Sequence, residues 1–193
     1  FSIMSELRTN KIVPRDGIPS GSSGTLNGGG VLQVVTKNMT NSGTLSDFGG
    51  SYGAGNIVDI NDLTLTIKPS SSSSLIWIQG FVHHNVNSSQ QAYFLVKRDG
   101  NIVCPINTDS GSQYHGFASG QGNQDYYSTW VVKNTPFWFM DAPNTTSTLT
   151  YKVAVQMCCN VSHIYINRGE RDSGSTYYDF RGVSNLTAWE ISA

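Results

Sequence analysis

The sequence predicts an all-β sandwich, on three observations. Apolar residues alternate with period two in short segments; in LTLTIKP (Leu63 to Pro69), Leu63, Leu65 and Ile67 share one face. Clusters of Gly, Ser, Asn and Asp separate these segments, and none carries the 3.6-residue period of an amphipathic helix. The chain also has eight Phe, nine Tyr and four Trp in 193 residues, apolar area that a disordered polar linker lacks.

In chain order, residues 1–30 read as an extended arm and hinge. Pro14 and Pro19 break any regular element, and SGSSGTLNGGG (Ser20 to Gly30) has the composition of a flexible linker. An arm of this kind serves docking, with Leu7, Ile12 and Val13 as its apolar contacts. Residues 31–193 form the folded domain. VLQVVT (Val31 to Thr36) opens it, and the Gly-rich stretch from Asn41 to Gly55 reads as a loop. Leu63 to Pro69 is a strand, Ser70 to Ser74 a turn, and LIWIQGFVHH (Leu75 to His84) the next strand. Ala92 to Ile106 is a hairpin whose turn, Asp99-Gly100, supplies the positive φ angles of type I′. Residues 107–126 read as a long polar loop. Strands follow at Ser128 to Lys133, Phe137 to Met140, Leu149 to Met157, Ser162 to Asn167 and Leu186 to Ile191, with a second long loop at Arg168 to Ser184. Nine or ten short strands between turns suit a jelly-roll-like β-sandwich.

Composition limits function. Charged residues make up 13% of the chain, about half the usual share, and the net charge is −1. Binding nucleic acid through phosphate contacts is therefore not expected. No apolar run approaches the ~18 residues of a membrane-spanning helix, so no membrane insertion is expected; no secretory signal is visible either.

The chemistry-bearing residues point away from catalysis. His83 and His84 are strand neighbours facing opposite sides, and no H-x-H, H-E-x-x-H or C-x-x-C spacing is present, so neither metal nor cofactor is expected. No G-x-S-x-G elbow lies on a strand–turn–helix. Asp125, Glu170, Asp172 and Asp179, in the two long loops, are the carboxylates open to acid–base work; Asx turns and loop solubility explain them as well. The expectation is a protein that is not an enzyme. Cys104, Cys158 and Cys159 are an odd set. A bridge from Cys104 to one of the vicinal pair is one reading, and buried free thiols the preferred one. Five N-x-S/T sequons, at Asn38, Asn87, Asn144, Asn160 and Asn185, are discounted in a chain this rich in Asn, Ser and Thr.

Aromatic residues are more informative. Trp138, between Phe137 and Phe139, puts large apolar groups on both faces of one strand, so that strand is expected inside the core or with its outer face against a neighbouring subunit. Tyr114, His115, Tyr126, Tyr127, Tyr177 and Tyr178 fall in the long loops. Tyr supplies rigid amphipathic contact area, which suits recognition of a partner or receptor.

GGGVLQVV (Gly28 to Val35), LTLTIKPSSSSSLIWI (Leu63 to Ile78), DAPNTTSTLTYKVAV (Asp141 to Val155), IYINRG (Ile164 to Gly169) and GVSNLTAWEI (Gly182 to Ile191) together resemble a C-terminal domain of tailed-phage virion proteins, of the marine and cyanophage tail-fibre or head-fibre type. MSELRTNKIVPRDG (Met4 to Gly17) is similar to their N-terminal segments. The resemblance covers most of residues 4–36, 63–106 and 137–193; it rests on strand–turn patterns and transfers no catalytic residue. It implies a TNF/C1q-like jelly-roll sandwich, a homotrimer, an arm joined to other virion proteins, and a place on the virion surface. The function expected is a non-enzymatic short fibre of the tail or head that contacts a host surface glycan or protein. The alternative is a capsid decoration, cement or tail adaptor protein. A glycan-degrading enzyme would instead need two loop carboxylates facing one groove, about 5–10 Å apart.

Overall fold

The computed structural model describes residues 30–49, 56–86, 91–106, 116–121, 131–157, 163–174 and 179–192. Among them are eleven strands: β1 (Val31–Met39), β2 (Gly43–Leu45), β3 (Ile57–Ile67), β4 (Leu75–Val86), β5 (Gln91–Arg98), β6 (Asn101–Ile102), β7 (Ala118–Gln121), β8 (Lys133–Asp141), β9 (Leu149–Met157), β10 (Ile164–Ile166) and β11 (Ser184–Ile191). They form two antiparallel sheets that enclose one core, an all-β sandwich. In the first, β1, β11, β4 and β8 lie side by side, and β10 and β2 continue the sheet beyond β11 along the far part of β4. The second runs β3-β9-β5, with β6 and β7 both pairing β5.

Alternation set these strands. Leu63, Leu65 and Ile67 are all buried, as are Ile76, Ile78 and Val82 on β4 and Tyr151, Val153 and Val155 on β9. The hairpin turn is as expected, with Asp99 at φ 50° and Gly100 at φ 88°. Four expectations need correction. Asn41 to Gly55 is not all loop, because Gly43–Leu45 pairs with β10. Residues 107–126 likewise contain β7, paired with β5. Strands of three or four residues show no period of their own; a partner's hydrogen bonds make them. β3 starts at Ile57, well before Leu63, and its Asp59–Asp62 stretch is taken up by a register shift against β9. Finally, the strand expected at Phe137 to Met140 is longer, running unbroken from Lys133 to Asp141, while residues 128–130 of the strand expected at Ser128 to Lys133 lie outside the described residues. Pro136 lies inside β8, which is tolerated because among the described residues β8 is an edge strand paired with β4 alone.

One glycine is required by packing. A Cβ on Gly80 would collide with the Asn185 carbonyl oxygen and come within 2.8 Å of the Phe137 ring, so nothing larger fits between β4, β8 and β11. Cys104 is a buried free thiol whose sulfur accepts the Val96 N–H at 3.2 Å; Cys158 and Cys159 lie outside the described residues.

Polar clasps tie the layers together. Asp141 on β8 accepts hydrogen bonds of 2.6 Å from Arg98 on β5 and from the Tyr151 hydroxyl on β9, joining the two sheets. Glu190 on β11 is fully buried. It accepts the Ser70 N–H and hydroxyl and the Ser74 hydroxyl through one oxygen, and Gln33 Nε2 through the other, at 2.6–2.7 Å.

The register gives the sandwich two distinct ends. Gly30, the first described residue, bonds Ser192 beside the start of β4, at the end that also holds the Ser70–Ser74 turn and the Asp99-Gly100 turn. At the other end lie Val86, Gln91, Gln121, Lys133, Met157 and Ile164, which flank residues 87–90, 122–130 and 158–162. The twelve residues of β4 run between these ends, roughly 40 Å at ~3.3 Å per residue.

Candidate functional site

Every residue singled out for anchoring or recognition (Leu7, Ile12, Val13, Tyr114, His115, Tyr126, Tyr127, Tyr177 and Tyr178) lies outside the described residues. The site therefore has to be built from what the strands present.

The outer face of the first sheet is the most unusual surface. Its four long strands place outward side chains in cross-strand rows. Met140, Trp77, Trp189 and Val34 form one row across β8, β4, β11 and β1; the next is Trp138, Gln79, Thr187 and Thr36; the next is Pro136, Phe81, Asn185 and Asn38. None of these positions holds Asp, Glu, Lys or Arg. Trp138 is 70% exposed, Met140 50%, Val34 46% and Trp77 38%, with Trp77 and Trp189 in tilted ring contact at 6.3 Å. Towards the loop end the face becomes neutral and polar. Thr36 and Thr187 share a 2.7 Å hydrogen bond, and Asn185 donates to Thr36 and Asn38. Two grooves flank Trp138. One of about 470 Å³ runs along the β8 edge past Pro105, Phe117 and Met140; one of about 300 Å³ lies between Trp138, Gln79, Phe81 and Asn185.

The opposite sheet differs. Its outer face carries Asp59 between Lys97 and Lys152, at 2.7 and 3.3 Å. Burial would raise the Asp59 pKa, but the two ammonium groups outweigh it and bring it below the usual carboxylate range. This outer face carries the charge that those rows of the first sheet lack.

The register thus resolves the expectation for Trp138. Phe137 and Phe139 point into the core at 4% exposure, and Trp138 points out of it, largely exposed. The strand is not inside the core on both sides.

A second cluster sits near the loop end, on β10 and the segment after it. The Arg168 guanidinium lies 4.6 Å over the Tyr165 ring and donates to the Thr44 hydroxyl at 2.6 Å, while His163 stacks on the same ring with centroids 6.3 Å apart. Asp172 lies 3.5 Å from Arg168 and also pairs with Arg181. Phe180 and Phe81 pack edge-on against His83, whose Nδ1 is 2.9 Å from the Val183 carbonyl. Rings flanked by guanidinium and carboxylate groups suit contact with a polar ligand.

Asp172 is thus held by two arginines, and Asp179 accepts the Ser173 hydroxyl at 3.1 Å. Asp125 lies outside the described residues. Among the described residues no group of three His, Cys, Asp or Glu side chains is placed to hold a metal ion. His83 and His84 do face opposite ways. His84 is buried against Phe94, and burial, with Lys133 and His83 nearby, lowers its pKa to about 4.

In comparisons with known proteins, the chain matches no protein-family model and no curated protein. The charge-free face was missed in the sequence except at Trp138. Finding Trp77, Trp189 and Val34 beside Met140 needs the strand register, which residues far apart in sequence set together.

Proposed function

We propose that this chain is a non-enzymatic structural protein of a phage virion surface, a short tail or head fibre held by residues 1–30 and contacting the host with the loops at the opposite end. The observation that supports it is the placement of Gly30 and of the residues flanking 87–90, 122–130 and 158–162 at opposite ends of β4. A fibre needs that polarity, one end for the particle and the other for a receptor. The strand order fits as well. β1-β11-β4-β8 facing β3-β9-β5-β7, with the chain crossing between sheets from β3 to β4 to β5, is what a jelly roll of the TNF/C1q-like kind would give. A homotrimer around a shared axis would give such a fibre its stem.

A purely architectural role, as capsid decoration or tail adaptor, is the second reading. The charge-free outer face of the first sheet favours it, since protein partners cover such faces.

The test replaces Leu7, Ile12 and Val13 together by Asp in the full chain, and in a second variant Tyr126 and Tyr127 by Ala. The first variant is expected to keep its thermal unfolding midpoint and fail to join particles. The second is expected to join particles that bind host cells less well. Normal incorporation of the first would overturn the anchoring role; normal host binding by the second, with normal incorporation, would favour the architectural one.

A further inference from the structure

We propose that copies of this chain associate through the outer face of the β1-β11-β4-β8 sheet, the Trp138 indole of one copy seating in the groove of about 300 Å³ beside Trp138 of its neighbour. The proposal rests on the reading of the chain as a subunit of a homo-oligomer, and adds the surface that joins the copies.

Three observations carry it. The rows Met140–Trp77–Trp189–Val34 and Trp138–Gln79–Thr187–Thr36 contain no formal charge, whereas the other sheet's outer face carries Asp59, Lys97 and Lys152. In a chain free to use either, charge lies on the face that meets water and is withheld from the one that becomes dry. Trp and Met, which interface centres favour, stand in their place, with Trp138 70% exposed. The face is also self-complementary. It offers both a projecting indole and a groove lined by Gln79, Phe81, Pro136 and Asn185, apolar with amide groups at its rim. With no fixed charge of either sign, two like faces meet without repulsion, a condition that symmetric association sets.

The surface matches a second copy better than a charged partner. A nucleic acid or a strongly charged protein would meet no countercharge on it, and a drug-sized ligand would leave most of it bare.

The experiment measures the solution mass of the full chain by light scattering over a range of concentrations, for the native sequence, Trp138→Glu, Trp138→Ala and a control, Gln156→Glu, on the other sheet. The native chain and control are expected at a multiple of 21.0 kDa. Trp138→Glu is expected as a single chain, with a dissociation constant raised at least a hundredfold, and Trp138→Ala in between; far-ultraviolet circular dichroism and cooperative melting check folding. Should Trp138→Glu fail to fold, Trp138→Ala decides. A native chain of single mass at every concentration overturns the proposal, as does an oligomer that both Trp138 variants leave intact. A single-mass native chain whose Trp138 variants no longer join particles would mean that another virion protein covers the face, and also overturns it. Native chain that joins particles while failing the mass test would leave the proposed function standing. Association through Trp138 by a chain never found on particles would do the reverse.

Discussion

His84 Nε2 lies 2.9 Å from the Thr135 hydroxyl, a buried pair that links β4 to the edge strand β8 inside the sandwich. The ring packs 5.0 Å from Phe94 of the opposite sheet, and its Nδ1 has no hydrogen-bond partner among the described residues. A neutral imidazole fits there; an imidazolium does not, and Lys133 and His83 add like charge.

Acid should therefore loosen this core. The pKa falls from 6.5 to about 4 on folding, so the unfolded chain binds the proton more readily between those values. Stability is full above pH 6.5, declines as pH falls towards 4, and levels off below; the loss is about 3 kcal/mol. Urea unfolding at pH 7, 5.5 and 4 reads it. His84→Gln, which can still meet Thr135, is expected to flatten the dependence in that window; an unchanged slope would exonerate His84.

Glu190 acts in a lower window and by the opposite logic. Burial would raise its pKa, but hydrogen bonds from Ser70, Ser74 and Gln33 outweigh burial and hold it at about 2 instead of 4.5. Its contribution is present above pH 4.5 and fades as pH falls towards 2. Glu190→Gln turns an NH₂ group against donors that previously shared a carboxylate. It is expected to cost about 2–3 kcal/mol at pH 7 and to unpin the Ser70–Ser74 turn, seen as faster amide exchange at Ser70 and Ser74. Wild-type exchange there would show that the turn holds without the carboxylate.

The clasp at Asp141 separates a missing bond from a stranded charge. Tyr151→Phe removes one hydrogen bond and leaves the Asp141–Arg98 pair, for a loss of about 1–2 kcal/mol. Asp141→Ala strands both the half-buried Arg98 guanidinium and the Tyr151 hydroxyl, for about 2–4 kcal/mol. In a double-mutant cycle by chemical denaturation the two changes are expected to couple by at least ~0.5 kcal/mol. Additivity would mean that Tyr151 contributes packing alone.

The sequence determined the long strands β4 and β9, the Asp99-Gly100 turn and the all-β class, because period-two burial and turn chemistry are local. It showed that Trp138 needed explaining, since Phe137 and Phe139 could take only one face of a strand. The tertiary structure decided what pairing alone can: the short strands β2 and β7, the early start of β3, the burial of His84 and Glu190, and the placement of Gly30 and of Val86, Gln91 and Met157 at opposite ends of the sandwich. It also decided which outer face is free of charge, because that property belongs to rows of residues up to about 150 positions apart in sequence that meet only when the register is set.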